Sequence, residues 1–274
     1  MLFINTSVKM LRKSDMEILS QEINDEYGQY RLRTGLSVRY LTIPIDTFDD
    51  DTMCRPWLLI PKLPDLPDSP WTTATISRDD NGTLKSAISM DPQPEIRTAW
   101  HEKHVDVLTL SSTRRFRSGV HEVQYDGAPA VAKIARFDWE MRRVERETWA
   151  YSLLTDHASQ KPDEPPIGPK FLSHLTENGR IMGLLLEKVD GESACIDDLG
   201  DCEALLRRLH RDLELTHGDV NRYNFLVDRA SGGGVRLVDF EHAHDLDESL
   251  AREELLSLPA ELTEETGRGA SITF

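Results

Sequence analysis

"LTHGDVNRYNFLVD" (215–228), followed by "VRLVDFEHA" (235–243), crowds a histidine, aspartates and asparagines between apolar runs. A buried strand has no use for so many hydrogen-bonding groups, and a plain surface loop has no use for their spacing. His217, Asp219 and Asn224 fit H-x-D-x-x-x-x-N, and Asp239 opens D-F-E after a short apolar strand. Phosphoryl transfer needs a carboxylate that takes or orients the attacking hydroxyl, and oxygen ligands that hold magnesium on the phosphates. An aspartate followed five residues later by an asparagine lets one loop supply both groups. A second carboxylate, Asp239, arriving on the next hairpin completes a set of hard oxygen ligands. The plainer alternative is that Asp219 and Asn224 cap a turn with their side chains.

Working upstream, "AVAKIA" (130–135) sets Lys133 inside an apolar strand. A buried ammonium is costly unless paired. Glu147, on the helix expected over "WEMRRVERETWAYSLLTD", is the natural partner, with Glu145 competing; helical phase favours Glu147. Around these, "GVHEVQYDGAPAVAKIARF" reads as two strands turned at Asp126-Gly127, and "FLSHLTENGRIMGLLLEKVDG" as two more turned at Asn178-Gly179. "DDLGDCEALLRRLHRDL" reads as a helix with Leu205, Leu206 and Leu209 on one face. The polar loop, a hairpin turned at "SGGG" and a charged helix from about Asp247 to Leu258 follow. Strand, strand, helix, strand, strand, helix, loop, hairpin is an α+β order.

The first 110 residues carry no such pattern and read as irregular, with five prolines in "PWLLIPKLPDLPDSPW" (56–71) set against any helix. The apolar "WLLI" nonetheless needs burial. The acidic run "DTFDDD" and the pair His101/His104 read as surface rather than metal ligands, as do His242 and His244. The clusters "STRRFR" (112–117) and "RRVER" (142–146) are ordinary solvated faces or, beside a nucleotide cleft, phosphate contacts.

Composition sets the outer bounds. At 274 residues, 39% hydrophobic and 29% charged, the chain has the make-up of a soluble protein. No apolar run reaches the roughly 20 residues of a membrane helix, and the N-terminus has no signal-peptide pattern, so no membrane partner and a cytoplasmic location are expected. Three widely spaced cysteines indicate neither a disulfide framework nor a zinc site. A net charge of −16 disfavours broad nucleic-acid binding, though it leaves tRNA open.

Lysine strand, glutamate helix, H-x-D-x-x-x-x-N and D-F-x, in that order, resemble the protein-kinase-like superfamily. The match is nearest to its aminoglycoside phosphotransferase and choline kinase branch, through "HGDVNRYNF" and "VDFEHA". "WHEKHVDVLTL", "MGLLLEKVDG" and "HGDVNRYNFLV" further resemble a group of fungal kinase-like proteins often called α-galactosidases. That activity has no support in these residues, because a glycosidase needs a pair of carboxylates flanking a sugar.

The resemblance implies an ATP- and magnesium-dependent transferase acting on a small-molecule acceptor, with a protein partner left open. It implies a two-lobed kinase-like fold in three segments. Residues 1–110 would be an N-terminal extension packed on the small lobe, 111–190 the N-lobe and hinge, and 191–274 a compact, truncated C-lobe. Asp219 would be the catalytic base, Asn224 and Asp239 the magnesium ligands, and Lys133 with Glu147 the phosphate-positioning pair. Backbone groups between Glu187 and Val189 would meet adenine. No G-x-G-x-x-G is present, so the amides of Ser118 and Gly119 would stand in for it. Only 33 residues follow Glu241, with no A-P-E motif. Two other readings therefore stay open. One is a fold repurposed for AMP transfer or for aminoacyl-tRNA-dependent peptide or cyclodipeptide formation in fungal secondary metabolism. The other is a nucleotide-binding pseudokinase scaffold.

Overall fold

In a computed structural model of the chain, residues 9–230, 232 and 234–267 are described. They are of mixed α+β make-up and fall into two units, Met1–Pro94 and Glu95–Phe274.

The first unit overturns the expectation of an irregular N-terminal region. Strands β1 (Met16–Ile23), β2 (Tyr27–Thr34), β3 (Ser37–Pro44), β4 (Thr73–Arg78) and β5 (Leu84–Ser89) form one sheet in sequential order. All its pairs are antiparallel except β3 with β4. Helices α1 (Asp50–Cys54) and α2 (Pro56–Lys62) fill that parallel crossover. The prolines do not forbid α2: Pro56 occupies its first turn, where no N–H is needed, and Pro61 lies near its end. Burial alternates too weakly along β2 and β3 to reveal them, because both faces of these strands are largely covered. Tyr30, Leu32, Leu41, Ile43, Met53, Leu59 and Ile76 form this unit's own core.

The second unit begins earlier than the segment boundary expected near residue 110. Strand β6 (His104–Asp106) joins β7 (Ser111–Arg117), β8 (Val120–Tyr125) and β9 (Ala128–Ile134) in one sheet. Helix α3 (Met141–Gln160), β10 (Phe171–Glu177) and β11 (Arg180–Glu187) follow. The sheet order is β6-β10-β11-β9-β8-β7, with β6 parallel to β10 and the rest antiparallel. Both expected two-residue turns are present. Asp126-Gly127 and Asn178-Gly179 all take positive φ, the type I′ geometry that Asp-Gly and Asn-Gly favour.

Beyond the sheet come β12 (Glu192–Ser193), α4 (Leu199–Leu213), β13 (Leu215–Thr216), β14 (Phe225–Asp228), β15 (Gly234–Leu237), β16 (His244–Asp245) and α5 (Glu248–Leu262). Leu205, Leu206 and Leu209 of α4 are buried, as their spacing predicts. Asp247 caps α5 by accepting from the amides of Ser249 and Leu250. One apolar core runs from the sheet through α3 and α4 to β14, β15 and α5. No helix among the described residues is long and apolar enough to cross a membrane.

Candidate nucleotide and phosphoryl-transfer site

The site grows from β9 and β11, which approach closely. A Cβ on Gly183 of β11 would lie 2.3 Å from the carbonyl oxygen of Lys133, so only glycine permits this pairing. Lys133 is buried on β9, and its Nζ donates to Glu147 Oε1 at 2.6 Å and to Asp239 Oδ1 at 2.7 Å. Burial opposes its charge, but Asp239 and Glu147 outweigh it and hold the ammonium above its ordinary pKa. Glu147 sits on the buried face of α3 and is 1% exposed. The helix settles the competition with Glu145, whose carboxylate instead accepts from the Arg97 amide. Burial raises the Glu147 carboxyl above the usual range despite the pull of Lys133. Glu147 Oε1 also accepts from the Phe240 amide at 3.3 Å, tying α3 to the residue after Asp239.

Asp239 follows β15 with φ 70° and ψ 61°, a left-handed conformation that aspartate tolerates better than most residues. Burial alone would raise its carboxyl; Lys133 and then Arg117 overcome that and bring it down to about 2. Arg117, at the end of β7, donates through Nη2 to Asp239 Oδ2 at 2.8 Å and Oδ1 at 3.0 Å. Its Nη1 reaches Glu241 Oε1 at 3.4 Å.

The loop after β13 is held from several sides. His217 is fully buried, which depresses its pKa, and its Nε2–H donates to the Val238 carbonyl at 3.0 Å. Burial favours the neutral imidazole, and the bond to Val238 gives it a structural task. Gly218 has φ 79°, and a Cβ there would lie 2.2 Å from the His242 carbonyl oxygen, so both conformation and space demand glycine. The Gly218 amide donates to Glu254 Oε1 of α5 at 2.6 Å, and Glu254 Oε2 meets His210 Nε2 at 2.7 Å. Asn224 Nδ2 donates to the Asp219 carbonyl at 2.8 Å and to Asp219 Oδ2 at 3.1 Å. The Val238 amide donates to the Asn224 carbonyl, joining this loop to the strand that carries Asp239.

A cavity of about 590 Å³ brings these groups together. Lys133, Asp219, Asn224, Asp239 and Glu241 line one part; Val120, Val131, Leu186 and Leu226 give it apolar walls. Its size suits a nucleotide-sized ligand. Glu187 and Val189 line it as well. The Glu187 amide is taken by the Lys170 carbonyl, and its carboxylate by the Lys170 amide and Arg236. Val189 has no backbone hydrogen bond to another described residue. Ser118 and Gly119 are not among the lining residues, although their neighbours Arg117 and Val120 are. Ser118 Oγ accepts from Arg115, and the Gly119 carbonyl accepts from the Ile134 amide, closing the β8–β9 edge.

Sequence reasoning missed the pairing of Arg117 with Asp239 and Glu241, and the hold of Glu254 on Gly218. "STRRFR" signals a cation beside the cleft, but nothing local in sequence says which arginine turns inward. None of the four paired histidines lines the cavity, although His242 Nε2 lies 3.7 Å from Glu241 Oε1. His101 and His104 surround the buried His174, and His244 meets Arg146. One group with metal-ligating side chains close together, His157, Glu164 and Asp212, occurs among the described residues. Its carboxylates already face Lys161, Arg208 and Arg211. No protein-family model and no curated protein matches this sequence.

Proposed function

We propose that the second unit is a kinase-like phosphotransferase, akin to the aminoglycoside phosphotransferase and choline kinase branch, that moves a phosphoryl group from ATP to a hydroxyl of a small molecule. The observation that carries this reading is Lys133 Nζ held between Glu147 and Asp239, in a cavity that Asp219 and Asn224 also line. A structural ion pair needs one carboxylate; this lysine has two, and clustered, perturbed carboxyls in a cleft are the mark of a site.

The donor set fits magnesium, since the Asp239 carboxylate and the Asn224 amide oxygen are hard oxygen ligands. Bound there with a nucleotide, the ion would neutralise charge on the phosphates and orient them. The chain's own groups do the rest. Lys133 meets the phosphates while Glu147 fixes the ammonium. The apolar walls and the backbone at Val189 receive the base. Asp219 presents Oδ1 to the acceptor hydroxyl, its Oδ2 being engaged by Asn224, and takes the proton as the new P–O bond forms. Phe240 N–H on Glu147 and Val238 N–H on Asn224 hold the two carboxylate-bearing segments in register.

Thermal unfolding with and without ATP and magnesium tests the binding half. A ligand at about 100 times its Kd stabilises by about 2.7 kcal/mol, and Asp239→Asn should lose most of that rise. No rise in the parent protein at millimolar nucleotide rejects the reading. Mass spectrometry of a metabolite extract incubated with protein, ATP and magnesium tests the chemistry. A product heavier by one phosphoryl group supports it, and one heavier by an AMP moiety replaces it with adenylyl transfer.

A further inference from the structure

We propose that Arg117 is a nucleotide-phosphate ligand, doing with a side chain what a glycine-rich loop does with backbone amides; this rests on the nucleotide-site reading above. The β7–β8 turn has a single glycine, and neither Ser118 nor Gly119 lines the cavity, so the turn offers no cradle of amides to an anion. Arg117, the residue before them, does line it, and its guanidinium enters from the same edge.

The charge count supports the role. Carboxylates outnumber cations in the cavity lining, and of its cations Lys133 and Arg117 are the two that pair with Asp239, Arg117 also meeting Glu241. A magnesium nucleoside triphosphate still carries net negative charge, so a site so rich in carboxyls needs each cation it has. Arg117 is held by carboxylates on the protein, through Nη2 on both oxygens of Asp239 and through Nη1 at 3.4 Å on Glu241. Were Asp239 to hold a metal, Arg117 would lose its principal partner, and its planar, five-donor fork would be left to meet phosphate oxygens, the geometry arginine suits best. The opposite role, a plug whose departure opens the site, predicts the opposite sign and is separated by the same measurement.

Titration calorimetry with ATP plus magnesium, and with adenosine alone, on the parent, Arg117→Met and Arg117→Lys gives the test, with circular dichroism confirming the fold of each. Arg117→Met should weaken the triphosphate at least tenfold and leave adenosine unchanged, while Arg117→Lys retains part of the affinity. Equal or tighter triphosphate binding by Arg117→Met, with the parent binding normally, overturns the role of Arg117 and leaves the nucleotide site standing. A parent that binds neither ligand overturns both.

Discussion

The two large sheets each bury a basic side chain, and they answer its charge differently. In the sheet of β1–β5, Arg39 donates to the Thr34 hydroxyl and the Ser69 carbonyl and lies 4.9 Å from the Trp71 ring centroid. Its burial lowers its pKa, with only Asp68 acting against that. Neutral oxygens and an aromatic face solvate it, which is how a structural arginine is kept. In the sheet of β6–β11, Lys133 meets two carboxylates from elements 14 and 106 residues away in sequence, and one of those also holds Arg117. The first arrangement answers a cation with neutral groups, the Arg39 Nε having no hydrogen-bond partner among the described residues. The second gathers more negative groups than one lysine needs, and a fold that needed only stability would gain from replacing them with apolar packing.

If that surplus is functional, Asp219→Asn gives the largest effect of any single change. It keeps shape and most hydrogen bonding, so folding and nucleotide affinity should hold while transfer falls by about 10²–10⁴-fold. Initial rates and calorimetric affinity on the same preparation check this. Transfer at the parental rate would return the second sheet to the same standing as the first.

Next comes a paired stability test. Lys133→Met leaves Glu147 buried without its cation, and stranding one partner of a buried pair costs about 3–5 kcal/mol. Arg39→Met leaves only a hydroxyl and a carbonyl without a donor, about 1–3 kcal/mol. Adding Glu147→Gln to Lys133→Met should recover part of the loss. Denaturant melts of the three variants and the parent read the difference, and equal costs for the two single changes would erase the contrast.

What was legible in sequence follows the range of the interactions. Asp126-Gly127 and Asn178-Gly179 announce their turns because the required positive φ is a property of those residues alone. The α4 leucines announce their face because the period is local. The choice of Glu147 over Glu145 was visible as helical phase. The pairing of Arg117 with Asp239 spans 122 residues and had no local signal. The first sheet was hidden for another reason: its strands β2 and β3 are largely covered on both faces and its crossover is proline-rich, so neither alternation nor helix periodicity marks that part of it. Ser118 and Gly119 stand where a motif the chain does not carry would place its loop, and the cavity is lined by the residues on either side of them.

Glycines sharpen the same contrast at smaller magnitude. A Cβ on Gly183 runs into the Lys133 carbonyl at 2.3 Å, backbone that cannot move without opening the β9–β11 pair. A Cβ on Gly28 of β2 meets the ends of the Tyr30 and Met53 side chains at 2.7 and 2.9 Å, which can rearrange. Gly183→Ala should cost at least the 1–3 kcal/mol typical of overpacking, and Gly28→Ala less, by chemical denaturation. A larger cost at Gly28 would show the first sheet to be the more rigid.

The smallest effect is a titration. Asp239 is held near pKa 2 by Lys133 and Arg117 against the effect of burial. A carboxyl depressed on folding contributes stability that is fully present above its unfolded value, about 3.9, and is lost as pH falls through about 2. Glu147 runs the other way: its raised carboxyl favours the folded state at low pH, and that contribution is lost as pH rises through its folded value. Carbon-13 NMR of the side-chain carboxyls, with no nucleotide present, should show Asp239 titrating below the ordinary range. The midpoint should move up in Arg117→Met, where one of its two cations is gone and Lys133 remains. An Asp239 midpoint that stays where it is in Arg117→Met would mean that the guanidinium does not engage it in solution.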